Sequence, residues 1–223
     1  MILDDTLIND EQLEKLVLTD RDIFKKIWFS PGVVFRFIEQ NSYGKYVTIL
    51  LFLAGISSAL DRASMRSSGD SMSLWAIIGA AVLFGGLFGW ISYYIYAALL
   101  SWTGKWLKAE GNTKSLLRML AYATIPSIAS LILVFAQIGV FGNSIFQSYH
   151  DIDSLELPMT IFYYLTVAFE AILGIWTFVL IIAGLSEIQK LSIGRSILNA
   201  LLPILVILIP IAIIAFILGD LLR

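Results

Sequence analysis

Long apolar runs separated by short polar segments dominate this chain. The runs cover residues 46–60, 74–100, 119–141, 160–185 and 197–218. Each is near or above the roughly 20 apolar residues that a helix needs to cross the hydrocarbon of a bilayer. The pattern therefore predicts an all-α, polytopic membrane protein with five transmembrane helices.

The residues before the first run follow a different pattern. Apolar and charged positions recur there at helical spacing, and Thr19 with Asp22 three residues later is typical of a helix start. Pro31 fits the first turn of a second helix. We expect a short amphipathic helical segment over residues 1–43, followed by the five-span domain over residues 44–223.

This N-terminal segment has two interpretations. Trp28 and Phe35 belong to its apolar stripe, and Lys25, Lys26 and Arg36 flank that stripe. Aromatic and basic residues mixed in this way beside a span suit a helix that lies on the membrane surface, attracted to anionic lipid. Alternatively, the same stripe packs beneath the bundle, and the pattern alone leaves both interpretations open.

Basic residues are distributed unequally between the two sides of the membrane. If the five runs alternate direction, 12 of the 15 Lys and Arg residues fall on the side of the N-terminus. The other side receives Arg62, Arg66 and Arg223. Because basic residues accumulate in cytoplasmic loops, we expect a cytoplasmic N-terminus and an extracytoplasmic C-terminus.

Composition narrows the chemistry that this chain can perform. It contains no cysteine, which excludes disulfides and thiolate metal sites, and its net charge of −2 gives no reason to expect nucleic acid as a partner. No metalloprotease, nucleophile-elbow or phosphate-loop motif occurs in the sequence. We therefore expect neither catalysis nor a cofactor.

One loop offers a weak candidate for a cation site. His150 precedes Asp151 and Asp153 in the second extracytoplasmic loop. An imidazole and carboxylate oxygens can together hold a divalent cation, but this spacing matches no metal motif. A solvated acidic loop explains the same residues, and we predict no metal site.

Small residues on the second run predict close helix packing. Ala81, Gly85 and Gly89 recur every four residues and so share one helical face. Such faces let two helix backbones approach closely where lipid supplies no hydrophobic drive. We expect this face to pack against another span of the chain, with a contact between two copies as the alternative.

Glu170 is the one ionisable residue that falls well inside a predicted span. A carboxyl group at that depth is costly and needs a partner inside the bundle. Residue counting places Ser130 and Pro210 at a similar depth, and Pro126 and Pro210 each free a backbone carbonyl. These residues are expected to form either a structural clasp or part of a proton or cation path.

Three short stretches together resemble bacterial members of the Yip-domain family. They are Ser30-Pro31 with Phe35 and Ile38, the stretch at residues 121–126, and the stretch from Trp176 to Ser192. The resemblance covers roughly residues 20–220. It implies a cytoplasmic N-terminal region, five spans and, for a bacterial-type member, an inner membrane.

Eukaryotic members of that family bind Rab-type GTPases and one another. This chain lacks their long N-terminal extension and their Asp-Leu-Tyr-Gly-Pro motif, so Rab binding is not expected here. Two functions remain. The first is a scaffold that associates with itself or with other membrane proteins and organises the bilayer; the second is a small proton- or cation-linked transporter or channel that uses Glu170.

Overall fold

The structure is built from helices joined by short connections. The computed structural model describes residues 18–148 and 156–221, and these residues contain no strand. The helices are α1 (Asp20–Lys26), α2 (Pro31–Gln40), α3 (Val47–Met65), α4 (Leu74–Ala80), α5 (Leu87–Trp106), α6 (Thr113–Ala123), α7 (Ile125–Phe141), α8 (Leu157–Gln189) and α9 (Ile193–Leu221). A π-helical segment, Ala81–Gly86, joins α4 to α5, and 3₁₀ turns follow α3 and α7.

Five of the described helical segments are long and apolar enough to cross a membrane. Span 1 is Val47–Met65, span 2 is Leu74–Trp106, span 3 is Thr113–Phe146, span 4 is Leu157–Gln189, and span 5 begins at Ile193. The predicted fold class is therefore confirmed. The segments extend beyond the apolar runs because polar residues at their ends continue the same helices.

Two hydrophobic clusters divide the bundle along its length. We call the end beside α1 and α2 the N-terminal end, and the opposite end the far end. The larger cluster lies at the N-terminal end and includes Leu120 and Leu185, whereas the smaller one, around Leu60 and Phe146, lies at the far end. Most of the tightly packed apolar surface is thus near α1 and α2.

The apolar stripe of the N-terminal segment packs into the bundle. Ile23, Ile27 and Phe35 are fully buried and belong to the same cluster as residues of spans 3 and 4. The interpretation of Phe35 as a membrane-surface residue is wrong, because its ring lies in the protein core. Packing beneath the bundle is the arrangement that the structure shows.

The predicted start of α1 is confirmed in atomic detail. The Thr19 hydroxyl accepts a hydrogen bond from the Asp22 amide, and the Asp22 carboxylate accepts one from the Thr19 amide at 3.1 Å. Together they satisfy two backbone donors that a helix start leaves free. At α2, Pro31 occupies the first turn, while the Ser30 side chain caps no described amide.

The small-residue face of span 2 packs against span 1. A methyl group added to Gly85 would lie 2.5 Å from the Ala59 Cβ atom, and one added to Gly89 would lie 2.7 Å from the Gly55 Cα atom. Ala81 is also buried in this crossing region. The small-residue face therefore packs against another span of the same chain, as expected. The sequence pattern did not identify Gly55 as its partner.

Candidate functional site

Glu170 lines a cavity between spans 1, 3 and 4. The cavity has a volume of about 220 Å³ and lies towards the far end. Its lining residues are Leu60, Asp61, Ser64, Met65, Val134, Gln137, Ile145, Phe146 and Glu170. Two carboxylates, a hydroxyl and an amide thus share one space with apolar side chains of the far cluster.

The Glu170 carboxylate lacks the partner that the sequence predicted. The group is half-buried, and its Oε1 atom is buried without a hydrogen-bond partner among the described residues. The Ser130 hydroxyl instead donates to the carbonyl oxygen of Ser127 at 2.6 Å. A clasp between Glu170 and Ser130 is therefore not formed in this structure.

The two prolines of the predicted site do not line the cavity either. Pro126 occupies the first turn of α7, where its missing N–H costs no helical hydrogen bond, and Pro210 is exposed on span 5. Val134, one turn along α7 from Ser130, does line the cavity, so Ser130 lies near the right depth. Residue counting gives depth and not the direction in which a side chain points, and the Ser130 hydroxyl bonds within its own helix.

Asp61 is the second carboxylate of this cavity, and the sequence interpretation missed its place. The end of the first apolar run at residue 60 predicts a loop there, but span 1 continues to Met65. Asp61 therefore lies in the last turns of a membrane-spanning helix. Ala59 and Ala63, which continue the helical spacing, are the signal that could have indicated this.

The pairing of these two acids defines what the cavity can do chemically. Neither Asp61 nor Glu170 has a Lys or Arg ion-pair partner among the described residues. Two carboxylates facing one space repel each other when both are ionised, unless a proton or a cation neutralises them. The two carboxylates could therefore bind a proton or a small cation.

Single hydrogen bonds connect the spans around the cavity. The Gln137 amide donates to the Thr166 hydroxyl at 2.9 Å, which links span 3 to span 4. The Ser64 hydroxyl donates to the Ile145 carbonyl oxygen at 3.1 Å, which links span 1 to the turn after α7. At the rim of the far end the Asn143 amide also donates to the Gly69 and Met72 carbonyl oxygens, at 3.0 and 3.2 Å, so the two loops there are joined as well.

A buried polar network joins spans 2, 4 and 5 at the N-terminal end. The Asn199 amide donates to the Gln189 side-chain oxygen at 2.6 Å and to the Leu100 carbonyl oxygen at 3.1 Å. The Thr103 hydroxyl donates to the Asn199 side-chain oxygen at 2.6 Å, and Gln189 donates to the same Leu100 carbonyl. These three side chains are at most 1% exposed, so the network connects three helix ends in the protein interior.

Asp20 fastens α1 to the start of span 1. Its carboxylate accepts hydrogen bonds from the Tyr43 and Tyr46 hydroxyls at 2.6 Å each, and from the Lys45 ammonium group. The Lys45 and tyrosine hydrogen bonds hold the pKa of Asp20 well below its ordinary value, and Asp20 in turn raises the pKa of Lys45. The carboxylate is therefore ionised at neutral pH.

Two further polar contacts fasten α2. Glu39 accepts from the Ser115 hydroxyl at 3.0 Å and from the Arg118 guanidinium at 3.4 Å, both on span 3. Arg36 donates two hydrogen bonds to the Glu187 carboxylate, at 2.9 and 3.3 Å, which raises the pKa of Arg36. Arg36, predicted at the membrane surface, thus binds the end of span 4.

The other predicted surface residues are divided between the surface and the core. Lys25 and Lys26 are exposed, whereas Trp28 is partly buried and packs against the larger hydrophobic cluster. The neighbouring Phe29, which the sequence interpretation did not single out, is 90% exposed. An apolar ring and two ammonium groups therefore share one exposed edge of the N-terminal end.

The weak cation candidate of the second loop cannot be placed. His150, Asp151 and Asp153 lie outside the described residues. Within residues 18–148 and 156–221, no group of three or more His, Cys, Asp or Glu side chains could hold a metal ion.

Comparison with known proteins supplies the family. A family model described as the Yip1 domain matches residues 25–214, which is most of the chain and includes α2 and the first four spans. Searches of curated proteins and of solved structures gave no match. The match over residues 25–214 confirms the resemblance seen in the sequence, and the chain belongs to the Yip1 domain family of multi-span membrane proteins.

Proposed function

We propose that this protein is a non-catalytic scaffold that organises other proteins in its membrane. The observation that carries the proposal is the N-terminal end, where α1 and α2 are fastened to the spans by polar contacts and by burial of their apolar stripe. Asp20, Glu39 and Arg36 provide three separate polar attachments, to spans 1, 3 and 4. A surface held in this way keeps one shape, which suits the binding of partners.

The same rigidity argues against a mechanism that opens the N-terminal end. Alternating access would require the ends of spans 2, 4 and 5 to separate. Separation would break the hydrogen bonds that Asn199 makes with Gln189, Thr103 and the Leu100 carbonyl oxygen, in a site that excludes water. Buried polar groups without partners are costly, so the closed arrangement is strongly favoured.

We further propose that the N-terminal end faces the cytoplasm of a cell whose inner membrane holds the protein. The excess of basic residues on that side supports this orientation. Single cysteines test it without background, because the chain has none. A membrane-impermeant thiol reagent applied to intact cells should label Ser68→Cys and leave Ser42→Cys and the exposed Lys114→Cys unlabelled; the reverse pattern would overturn the orientation.

The exposed edge around Phe29 is our candidate for the partner-binding surface. Its apolar ring and the ammonium groups of Lys25 and Lys26 suit a protein or membrane surface with acidic groups. Partners of this kind would be other membrane proteins or a second copy of this chain.

Copurification from native membranes tests the scaffold. Two differently tagged copies of the full chain are expressed together, and adducts are identified after crosslinking in the membrane. We expect a reproducible set of partners that Phe29→Ser reduces and the far-end control Met65→Ser, whose side chain is 77% exposed, does not. Recovery of no reproducible partner, including a second copy, would contradict the scaffold.

A second candidate function rests on the acid pair. Asp61 and the unpartnered Oε1 atom of Glu170 at one cavity favour a proton- or cation-linked transporter or channel. Sealed liposomes containing the purified protein would then pass protons or cations, and Glu170→Gln or Asp61→Asn would stop the flux. Glu156→Gln, at the start of the same span, is the control and should keep it. The scaffold proposal predicts no flux from any of these proteins.

A further inference from the structure

Two arginines line a groove between spans 1 and 2 at the far end. Arg62 and Arg66 lie one helical turn apart, at the end of span 1. The groove has a volume of about 250 Å³. Its other lining residues are Ala59, Ala63, Ser68, Met72, Ile77, Ala80, Ala81, Phe84 and Gly85, most of them apolar.

The positive charge in this groove has no acidic partner in the described part of the chain. Arg62 donates one hydrogen bond, at 3.0 Å, to the neutral hydroxyl of Ser58. No carboxylate lies within ion-pair distance of either arginine among the described residues. Asp61, the adjacent residue, lines the separate cavity that contains Glu170. The groove therefore combines two exposed guanidinium groups with an apolar surface formed by span 2.

The groove faces the surface that the bundle presents to lipid. Phe84, on the span 2 wall of the groove, is 68% exposed. Arg62 and Arg66 lie at the end of span 1, where side chains reach the phosphate level of a bilayer. An anion that enters here would meet the guanidinium groups first and the apolar wall below them.

We propose that this groove binds one anionic phospholipid. Its phosphate accepts hydrogen bonds from Arg62 and Arg66, since guanidinium groups match phosphate oxygens in geometry and charge. One acyl chain lies along Ala80, Ala81 and Phe84. A free phosphate ion would gain nothing from that apolar wall, so the groove selects the lipid.

Native mass spectrometry of the detergent-purified protein, titrated with phosphatidylglycerol, tests this site. We expect one tightly retained lipid, with affinity lowered about tenfold for each arginine replaced in Arg62→Gln and Arg66→Gln. The matched control removes two exposed arginines at the N-terminal end, Arg21→Gln with Arg195→Gln, and should bind as the unmodified protein does.

Two further binding measurements distinguish an anionic lipid from a free phosphate ion and from a lipid without net charge. Ala80→Phe keeps both arginines but fills the groove, and should weaken phosphatidylglycerol binding without creating any response to inorganic phosphate. Phosphatidylcholine should bind at least tenfold more weakly than phosphatidylglycerol, because its headgroup has no net charge.

Three results would overturn the proposal. They are equal retention of the two lipids, equal loss in the control and in the arginine variants, and competition by inorganic phosphate. If the Arg62→Gln variant fails to fold, binding by the Arg66→Gln variant decides between these outcomes, because Arg66 is an exposed residue just beyond the last turn of span 1.

Discussion

The two ends of this bundle differ in where their polar side chains lie. At the N-terminal end, Asn199, Gln189 and Thr103 are buried and bind one another, and charged residues fasten α1 and α2 to the spans. At the far end, Asp61 and Glu170 line a cavity, and one oxygen of Glu170 has no described partner.

The difference shows how one helical bundle can hold an interior polar network at one end and a carboxylate-lined cavity at the other. Hydrogen-bonded buried polar groups lock helix ends together, because separating the helices would leave each group without a partner. The N-terminal end also has buried atoms without a described partner, on Arg118, Tyr122 and Trp176, and a cavity beside Ser115. Resistance to unfolding should therefore be concentrated in the polar network that joins spans 2, 4 and 5.

The largest expected effect comes from breaking the polar network. Asn199→Leu removes three hydrogen bonds and leaves the buried Gln189 side-chain oxygen without its described donor, so it should lower the free energy of unfolding by about 3 kcal/mol. At the far end, Gln137→Leu removes one bond to Thr166 and should cost about 1 kcal/mol or less. Denaturant unfolding of both variants in the same detergent gives the two values. Equal costs would remove the contrast between the ends.

A smaller loss is expected where spans 1 and 2 cross. A methyl group added at Gly55 meets the Gly85 backbone and the Gly89 Cα atom, so Gly55→Ala should cost about 2 kcal/mol. Gly79→Ala is the matched control on span 2, because a methyl group there meets nothing within 4 Å. Its stability should be unchanged or slightly raised. A Gly55 variant as stable as the control would contradict the close crossing.

The smallest effect concerns the attachment of α1 and depends on pH. The folded-state pKa of Asp20 is lowered. The ionised carboxylate therefore stabilises the attachment of α1 above the ordinary carboxyl pKa of about 3.9, and this stabilisation is lost as the pH falls below that value. Amide exchange in α1, corrected for the intrinsic pH dependence, should therefore increase between pH 6 and pH 3.

Two variants isolate that effect. Asp20→Asn should raise α1 exchange already at pH 6 and weaken its dependence on pH. Asp70→Asn, at the far end, removes a carboxylate whose pKa is also lowered, by its hydrogen bond with Ser148, and should leave α1 unchanged. If Asp20→Asn leaves α1 protected, the attachment depends on apolar packing alone.

The spans could be predicted from the sequence, because only long apolar helices satisfy their backbone inside lipid. The burial of Phe35 in the protein core could not be predicted, because an apolar stripe that suits a lipid surface suits a protein core equally well. The place of Asp61 was missed because a helix continues past the end of its apolar run. The partners of Asn199 lie 10 to 99 residues away along the chain, a distance that no local pattern reports.

Thiol reactivity at two buried hydroxyl residues tests the contrast between the ends most directly. Thr166 bonds to Gln137 of the far-end cavity and is 5% exposed, whereas Ser196 is fully buried at the N-terminal end, and each is replaced singly by cysteine in the cysteine-free chain. In detergent, where a charged methanethiosulfonate reagent reaches both ends, Thr166→Cys should react at least roughly tenfold faster than Ser196→Cys. Equal rates, or faster reaction at Ser196→Cys, would contradict a tightly held N-terminal network and an accessible far-end cavity.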